Sequence, residues 1–323
     1  MKTFLKKIIL FLMLLPALYL GFLLLWGEYL PDLFLKNMAR RGHSGYLYTR
    51  LQNIKDYTDV DILFIGSSHA YRGFDTRIFK QYGFNTFNLG SSAQTPLQTD
   101  IILKRHLDKL NPKLVVYEVF PETFVSDGVE SSMDLIANDF NDFDSIKLSI
   151  HHNNIKVYNT LFYAVYCDFF KKNDTYLKKI PKRKRKDTYI DGGFVEKDLM
   201  TYTIAKRNQK KLKFNKNQFY HFDNIITLLK EKKIPFILVQ APITKSLYNS
   251  YLNRNTFDEK MKQYGRYIDF NKIIELDDEL NFYDSSHLNQ HGVEVFNRKF
   301  IEIALTEKKL SKLTKQSPKH RTP

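Results

Sequence analysis

Two short segments of this 323-residue chain carry the side chains that a hydrolytic site needs. The first, residues 61–69, is an apolar run that ends in Gly66-Ser67-Ser68. In the second, residues 283–292, Asp284 and His287 lie three positions apart. In a serine nucleophile site the histidine takes the hydroxyl proton and the aspartate holds the histidine in the correct tautomer. The two segments together therefore predict acyl transfer through a serine.

Each of these residues also has an ordinary structural interpretation. Either Ser67 or Ser68 can cap the helix that follows, and Asp284 can cap the last helix of the chain. His287 can be a loop histidine, and Asp284 can position the loop rather than the imidazole. Their occurrence together, at predicted strand ends, favours the triad, with Ser68 as the nucleophile and Ser67 as the alternative.

Short strands and helices alternate along the chain and must position these residues. Apolar runs predict five strands, at residues 60–65, 86–89, 113–120, 234–239 and 267–270. Helical spacing predicts helices at residues 75–82, 96–110, 218–233 and 288–305. This alternation predicts an α/β fold with a mostly parallel sheet that is covered on both faces. Ligands of such sheets bind at the carboxyl ends of the strands, where Ser68 and Gly90 are expected to lie.

The motifs resemble those of the SGNH (GDSL-type) hydrolases. Gly66-Ser67-Ser68 is similar to the first motif of that family, with Ser67 in place of the usual Asp. Gly90 matches the glycine of the second motif, and Asp284-Ser285-Ser286-His287 resembles the last motif, Asp-x-x-His. The resemblance covers about residues 58–122 and 215–305. It implies a flavodoxin-like three-layer fold with about five mostly parallel strands.

The resemblance also implies roles for the site residues and no cofactor. Ser68 would be the nucleophile, His287 the general base and acid, and Asp284 its orienting partner. The backbone N–H groups of Ser68 and Gly90 would form the oxyanion hole. The family's third donor, an Asn after the third strand, has no counterpart in residues 119–122. Loss of such a donor costs about 2.7–4 kcal/mol of transition-state stabilisation.

An apolar stretch at residues 8–26 is long enough to cross a bilayer as a helix of about 30 Å. Three lysines precede it, which predicts an uncleaved signal anchor with residues 1–7 in the cytoplasm and the rest of the chain on the extracytoplasmic face of the cytoplasmic membrane. A cleaved signal peptide is the alternative, but the sequence after the stretch offers no small-x-small site. Residues 27–58 are predicted to be a juxtamembrane connector.

Residues 59–306 are predicted to form one SGNH-like domain with an insertion at residues 122–215. The insertion interrupts the strand–helix rhythm and is expected to be a cap beside the site. It contains an aromatic patch and a basic run from Lys178 to Lys186, interpreted as a solvated loop or, alternatively, a contact for a polyanion. Two further polar residues, His69 and Glu118, are expected near the site. Residues 307–323 are predicted to be a basic, disordered tail.

Composition limits the partners and metals that this chain can use. The net charge of +15 fits a solvated surface or attraction to anionic lipid or an envelope polymer. Nucleic acid is not expected outside the membrane. Cys167 is the single cysteine, which excludes an intrachain disulfide and zinc sites built from several thiolates. His151 and His152 have no acidic or cysteine companion at ligand spacing, so no metal site is predicted.

With its predicted signal anchor, Gly-Ser-Ser start and enlarged middle, the chain resembles the membrane-anchored, cell-envelope acyl esterase and acyltransferase branch of the SGNH family. The resemblance implies a membrane-anchored serine esterase or O-acyltransferase that acts on acyl esters of a cell-envelope glycan or polymer. Transfer, as opposed to hydrolysis, implies a multi-pass membrane acyltransferase as a partner. The alternative is a catalytically degenerate SGNH scaffold that binds polysaccharide or assists envelope assembly.

Overall fold

The computed structural model describes residues 1–42, 45–172, 183–184, 186–204 and 207–306. The chain divides into two compact units. We call residues 1–43 and 132–179 the helical unit, and residues 44–131 and 180–323 the sheet unit.

The described residues form eight strands and twelve α-helices. The strands are β1 (Ile62–Ile65), β2 (Thr86–Asn88), β3 (Leu114–Glu118), β4 (Arg183–Lys184), β5 (Asp187–Ile190), β6 (Phe194–Lys197), β7 (Phe236–Gln240) and β8 (Tyr267–Asp269). The helices are α1 (Lys2–Tyr29), α2 (Leu47–Asn53), α3 (Ser68–Gly73), α4 (Thr76–Gln81), α5 (Pro96–Leu110), α6 (Val129–Asn138), α7 (Phe143–His152), α8 (Ile155–Phe169), α9 (Lys216–Glu231), α10 (Lys245–Tyr248), α11 (Arg254–Tyr264) and α12 (Gln290–Thr306).

The sheet unit is built on five parallel strands in the order β2-β1-β3-β7-β8. Every residue of β1 and β3 is buried, as expected of parallel strands that are covered on both faces. The predicted α/β fold with a five-stranded parallel sheet is therefore confirmed. The strand order reverses direction between β1 and β3, and such a switch point is where doubly wound sheets bind ligands.

Helices cover both faces of this sheet. On one face, Phe64 of β1 packs into a cluster with Phe79 of α4 and Phe296 of α12. On the other face, Tyr117 of β3 lies 5.3 Å from Phe222 of α9, measured between ring centroids. The arrangement has three layers because alternate residues of each strand point to opposite faces.

Local sequence signals set the ends of the best predicted helix. Helix α5 begins at Pro96 and ends at Leu110, as the sequence predicts. Thr95 is its N-cap and forms a capping box with Gln98, so that two N–H groups of the first turn have acceptors. Asn111 ends the helix in the left-handed conformation.

The predicted insertion contains more regular structure than its sequence indicates. Helices α7 and α8 and most of α6 belong to the helical unit, whereas β4, β5 and β6 form an antiparallel sheet in the sheet unit. Of the predicted basic run, Arg183 and Lys184 form β4. Most of the rest of that run and the predicted tail at residues 307–323 lie outside the described residues.

Within the helical unit, the C-terminal part of α1 packs on α8. The Tyr19 hydroxyl donates to Asn159 Oδ1 at 2.8 Å, and the Tyr163 hydroxyl donates to the Gly27 carbonyl at 2.9 Å. By length and composition α1 is able to cross a membrane, and most of its surface is exposed. This is compatible with the predicted signal anchor.

Candidate active site

The turn after β1 fixes the position of Ser68. Gly66 has a φ of 136°, and a Cβ there would lie 2.6 Å from the Glu118 carbonyl oxygen, so the turn requires glycine. Ser67 caps α3, and Ser68 is the first residue of that helix. The N–H of a first helical residue has no partner within its helix and is free to face an anion.

The structure brings the three predicted triad residues together. Ser68 Oγ lies 2.7 Å from His287 Nε2, and His287 Nδ1 lies 2.9 Å from Asp284 Oδ2. Asp284 Oδ1 also accepts the N–H groups of Ser286, at 2.8 Å, and of His287, at 2.9 Å. Asp284 therefore orients the imidazole and shapes the loop at the same time.

The charge state of Asp284 suits this arrangement. Partial burial alone would raise the pKa of Asp284, but the hydrogen bond and charge of His287 and the loop N–H groups hold the pKa well below its usual range. An ionised Asp284 keeps a proton on His287 Nδ1. Nε2 is then the acceptor for the Ser68 hydroxyl proton, which is the tautomer that a general base requires.

Ser67 borders the cleft, but its hydroxyl makes buried contacts. The residue is 2% exposed, and its Oγ accepts the backbone N–H of His69 at 3.3 Å. The same oxygen lies 3.0 Å from His69 Nδ1 and 3.3 Å from Glu118 Oε2. These contacts engage Ser67 Oγ and disfavour Ser67 as the nucleophile. Ser68 is the serine whose hydroxyl contacts His287.

Gly90 lies beside the turn that carries Ser68, but the Gly90 N–H already has an acceptor. A Cβ on Gly90 would lie 2.9 Å from the Ser67 carbonyl oxygen, so the two segments touch. The Gly90 N–H donates to Asn88 Oδ1 at 3.1 Å. The predicted oxyanion role of Gly90 therefore requires that this N–H leaves Asn88 when substrate binds.

A cleft of about 570 Å³ opens beside the triad within the sheet unit. Phe120 and Glu122 lie in its wall, where the resemblance to the SGNH hydrolases predicts a third oxyanion donor. The cleft's lining residues include no Asn or Gln side chain, and the hydroxyls of Ser92, Thr123 and Ser126 are among its uncharged donors. None of these lining residues therefore supplies a side-chain amide as that donor.

One rim of the cleft is a cationic cluster that the sequence did not predict. Arg72 makes two hydrogen bonds to Asp187, at 2.8 and 3.1 Å, and Lys197 lies 3.3 Å from the same carboxylate. Both cations lie over the Tyr283 ring, which stacks parallel to His287 at a centroid distance of 5.5 Å. Arg72 could have been found, because it follows Ser68 by one helical turn. Lys197 comes from β6, and no local pattern links that hairpin to the site.

The described part of the chain contains no cluster of three or more His, Cys, Asp or Glu side chains that could hold a metal. His151 and His152, named above as a pair without companions, lie at the end of α7 in the helical unit.

Comparison with known proteins does not show a family for this chain. No family model and no curated protein matches this sequence. A candidate acylhydrolase from Bacteroides fragilis is 12% identical, with 80% of this chain and 94% of that one covered and a TM-score of 0.39. A GDSL-like lipase from Bacteroides thetaiotaomicron is 13% identical, with 80% and 98% covered and the same TM-score. Function therefore has to be inferred from the site itself.

Proposed function

We propose that this protein is a serine esterase or O-acyltransferase that works through an acyl-Ser68 intermediate. The single observation that carries the proposal is the chain of contacts from Ser68 Oγ through His287 to Asp284, all within hydrogen-bond distance at the carboxyl end of β1. The position at the topological switch point and the open cleft beside Ser68 add support.

The geometry supports a two-step reaction. Ser68 Oγ attacks the carbonyl carbon of an ester while its proton moves to His287 Nε2, and Asp284 stabilises the imidazolium that forms. The Ser68 N–H faces the oxyanion that develops on the carbonyl oxygen. His287 then gives the proton to the departing alkoxide, which leaves the acyl group on Ser68. Water or a sugar hydroxyl attacks this ester while His287 Nε2 takes its proton, and His287 then gives that proton to Ser68 Oγ as the acyl group leaves on the acceptor.

We further propose that the acyl esters belong to a cell-envelope glycan or polymer on the extracytoplasmic face of the membrane. An N-terminal helix able to span a bilayer and a net charge of +15, which favours anionic surfaces, support this setting. Transfer to a sugar would depend on a multi-pass membrane partner that delivers the acyl group, whereas hydrolysis would not. The two outcomes differ in whether the acceptor or water reaches acyl-Ser68.

Fluorophosphonate labelling of the purified full chain tests the assignment. Ser68→Ala is expected to abolish labelling, since these probes react with a serine activated by its base. Ser92→Ala is the matched control, because Ser92 lies in the same cleft outside the triad, and it should retain labelling. Undiminished labelling of Ser68→Ala would reject the assignment.

Two observations favour a second candidate function, a non-catalytic scaffold that binds polysaccharide or assists envelope assembly. The Gly90 N–H is occupied by Asn88, and the third oxyanion donor is missing. On this alternative neither wild type nor Ser68→Ala reacts with the probe, and both retain equal affinity for the envelope glycan in a sedimentation assay.

A further inference from the structure

A second polar set lies buried directly behind the proposed triad. It consists of Glu118 at the end of β3, Ser67 and His69. Glu118 is 2% exposed, Ser67 is 2% exposed and His69 is 5% exposed. The proposed mechanism uses none of the three, although buried polar side chains are costly unless they are hydrogen-bonded. Their arrangement therefore calls for a physical reason.

We propose that Glu118 is a neutral carboxylic acid that donates a hydrogen bond to Ser67 and thereby holds His69 as a neutral platform under His287. This inference rests on the proposed function, because it assigns Glu118 and His69 as positioning residues for that reaction. Neither residue touches the cleft-facing hydroxyl of Ser68 in the contacts described above.

The first step concerns the proton on Glu118. Its Oε2 lies 3.3 Å from Ser67 Oγ, and its Oε1 has no hydrogen-bond partner among the described residues. Its contacts with the described residues include no cation, and the neighbouring strands β1 and β7 consist of uncharged residues. Burial raises the pKa of Glu118 to about 8, although the Ser67 hydroxyl and the backbone N–H groups of Ala241 and Ser67 lower it in part. Glu118 is then mostly protonated at neutral pH.

The second step concerns the direction of the hydrogen bonds. A protonated Glu118 donates to Ser67 Oγ, so the Ser67 hydroxyl proton is free to point at His69 Nδ1, 3.0 Å away. His69 is then an acceptor at Nδ1 and carries its proton on Nε2. An ionised Glu118 could only accept a hydrogen bond, so the Ser67 hydroxyl would donate to it. His69 would then have to donate an N–H from Nδ1 to Ser67 Oγ. The charge on Glu118 therefore sets the tautomer of His69.

The third step concerns His287. The His69 ring lies between Phe120, at 4.0 Å, and His287, at 4.7 Å and nearly parallel, measured between ring centroids. Burial and the charge of His287 hold the pKa of His69 well below its usual range, against the opposite effects of Asp284 and the Ser286 carbonyl. A neutral ring here allows His287 to become imidazolium without a second cation beside it. It also fixes the plane of the base by stacking.

The charged and titratable groups around Glu118 are few. Ser67 links Glu118 to His69 of α3 by hydrogen bonds. The His69 ring in turn stacks on His287, which contacts Asp284. Tyr117 precedes it on β3, and burial raises the pKa of that phenol well above the usual range, so Tyr117 stays neutral. A change near pH 8 is therefore expected to come from Glu118.

Infrared spectroscopy of the full chain in detergent tests the proton directly. The wild-type protein at pH 7 should show a protonated-carboxyl band that is absent from Glu118→Gln and that disappears from the wild type as the pH rises through about 8. A wild-type spectrum without this band at pH 7, or a band that persists in Glu118→Gln, would overturn the proposal. This readout does not depend on activity and remains informative if Ser68→Ala shows that the proposed function is wrong.

Kinetics with p-nitrophenyl acetate test the positioning role. Glu118→Gln keeps a neutral donor, so its kcat should stay within about threefold of wild type at pH 7, and it should lose the fall in activity that the wild type shows above pH 8. Glu118→Leu removes the donor, and its kcat should fall about tenfold to a hundredfold at unchanged KM. Equal kcat for Glu118→Leu and wild type, or an unchanged alkaline limb in Glu118→Gln, would contradict the proposal.

Discussion

At the scale of single residues, Asp284 has two tasks that a substitution can separate. Its carboxylate accepts loop N–H groups through Oδ1 and meets His287 Nδ1 through both oxygens. An amide can still accept the loop N–H groups through its oxygen. It also presents an N–H toward the imidazole, and that requires the wrong tautomer of His287.

The Asp284→Asn variant is therefore expected to fold like the wild type but to have a much lower kcat. We expect kcat for p-nitrophenyl acetate to fall about 10²- to 10⁴-fold because His287 Nε2 would no longer accept the Ser68 proton. Thermal unfolding should be close to that of wild type, as a check that the loop is intact. A kcat within tenfold of wild type would mean that Ser68 and His287 act without an orienting acid.

The residue scale also shows which contacts of the candidate site can be predicted from sequence. The meeting of Ser68, Asp284 and His287 was predictable, because a serine after a buried strand and an Asp-x-x-His segment are local patterns. The occupation of the Gly90 N–H by Asn88 was not, since it depends on one side-chain rotamer. The rim formed by Arg72 and Lys197 depends on contacts between residues far apart in sequence.

At the scale of elements, the turn from β1 into α3 connects the sheet to Ser68, the proposed nucleophile. Gly66 and Gly83 both have φ values in the left-handed region, but their surroundings differ. A Cβ on Gly66 would meet the Glu118 carbonyl oxygen at 2.6 Å, whereas a Cβ on Gly83 would meet nothing within 4 Å. Alanine substitutions at Gly66 and Gly83 therefore separate the effect of backbone strain from that of steric contact.

Gly83→Ala should lower the free energy of unfolding by about 1 kcal/mol, the cost of a non-glycine residue in that conformation. Gly66→Ala should cost about 2–4 kcal/mol, because β1 and β3 must also move apart, and it should slow fluorophosphonate labelling of Ser68. Urea unfolding and labelling rates of the two variants are the measurements. Equal losses in both would show that the approach of Gly66 to Glu118 is not what holds the turn.

Elements were predicted with uneven success for a physical reason. Strands β1, β3 and β7 of the central sheet are largely apolar runs between polar or glycine-containing turns, so their burial is visible in sequence. Helices α6, α7 and α8 and the small sheet of β4, β5 and β6 were not predicted. Most residues of β5 and β6 are only partly buried, so no continuous apolar run marks these strands in the sequence.

At the scale of the whole molecule, α1 gives the chain a segment that is able to cross a membrane. Helix α1 combines a hydropathy high enough to span a bilayer with lysines at positions 2, 6 and 7. Basic residues beside a span favour the cytoplasmic side. The sheet unit, with the proposed active site, is then expected on the opposite side.

Single-cysteine labelling in intact cells can decide this placement. Cys167 is the chain's only cysteine and is buried, so Cys167→Ser gives a background without thiols. In that background Leu252→Cys, at a side chain that is 60% exposed in the sheet unit, should react with a membrane-impermeant maleimide. Thr3→Cys, at the basic end, should react only after the cells are permeabilised.

The reverse pattern would place the proposed active site in the cytoplasm, and reaction of both residues in intact cells would show that α1 does not span the membrane. The reverse pattern would remove the envelope glycan as a substrate class, while the chemistry proposed for Ser68 would stand on its own test.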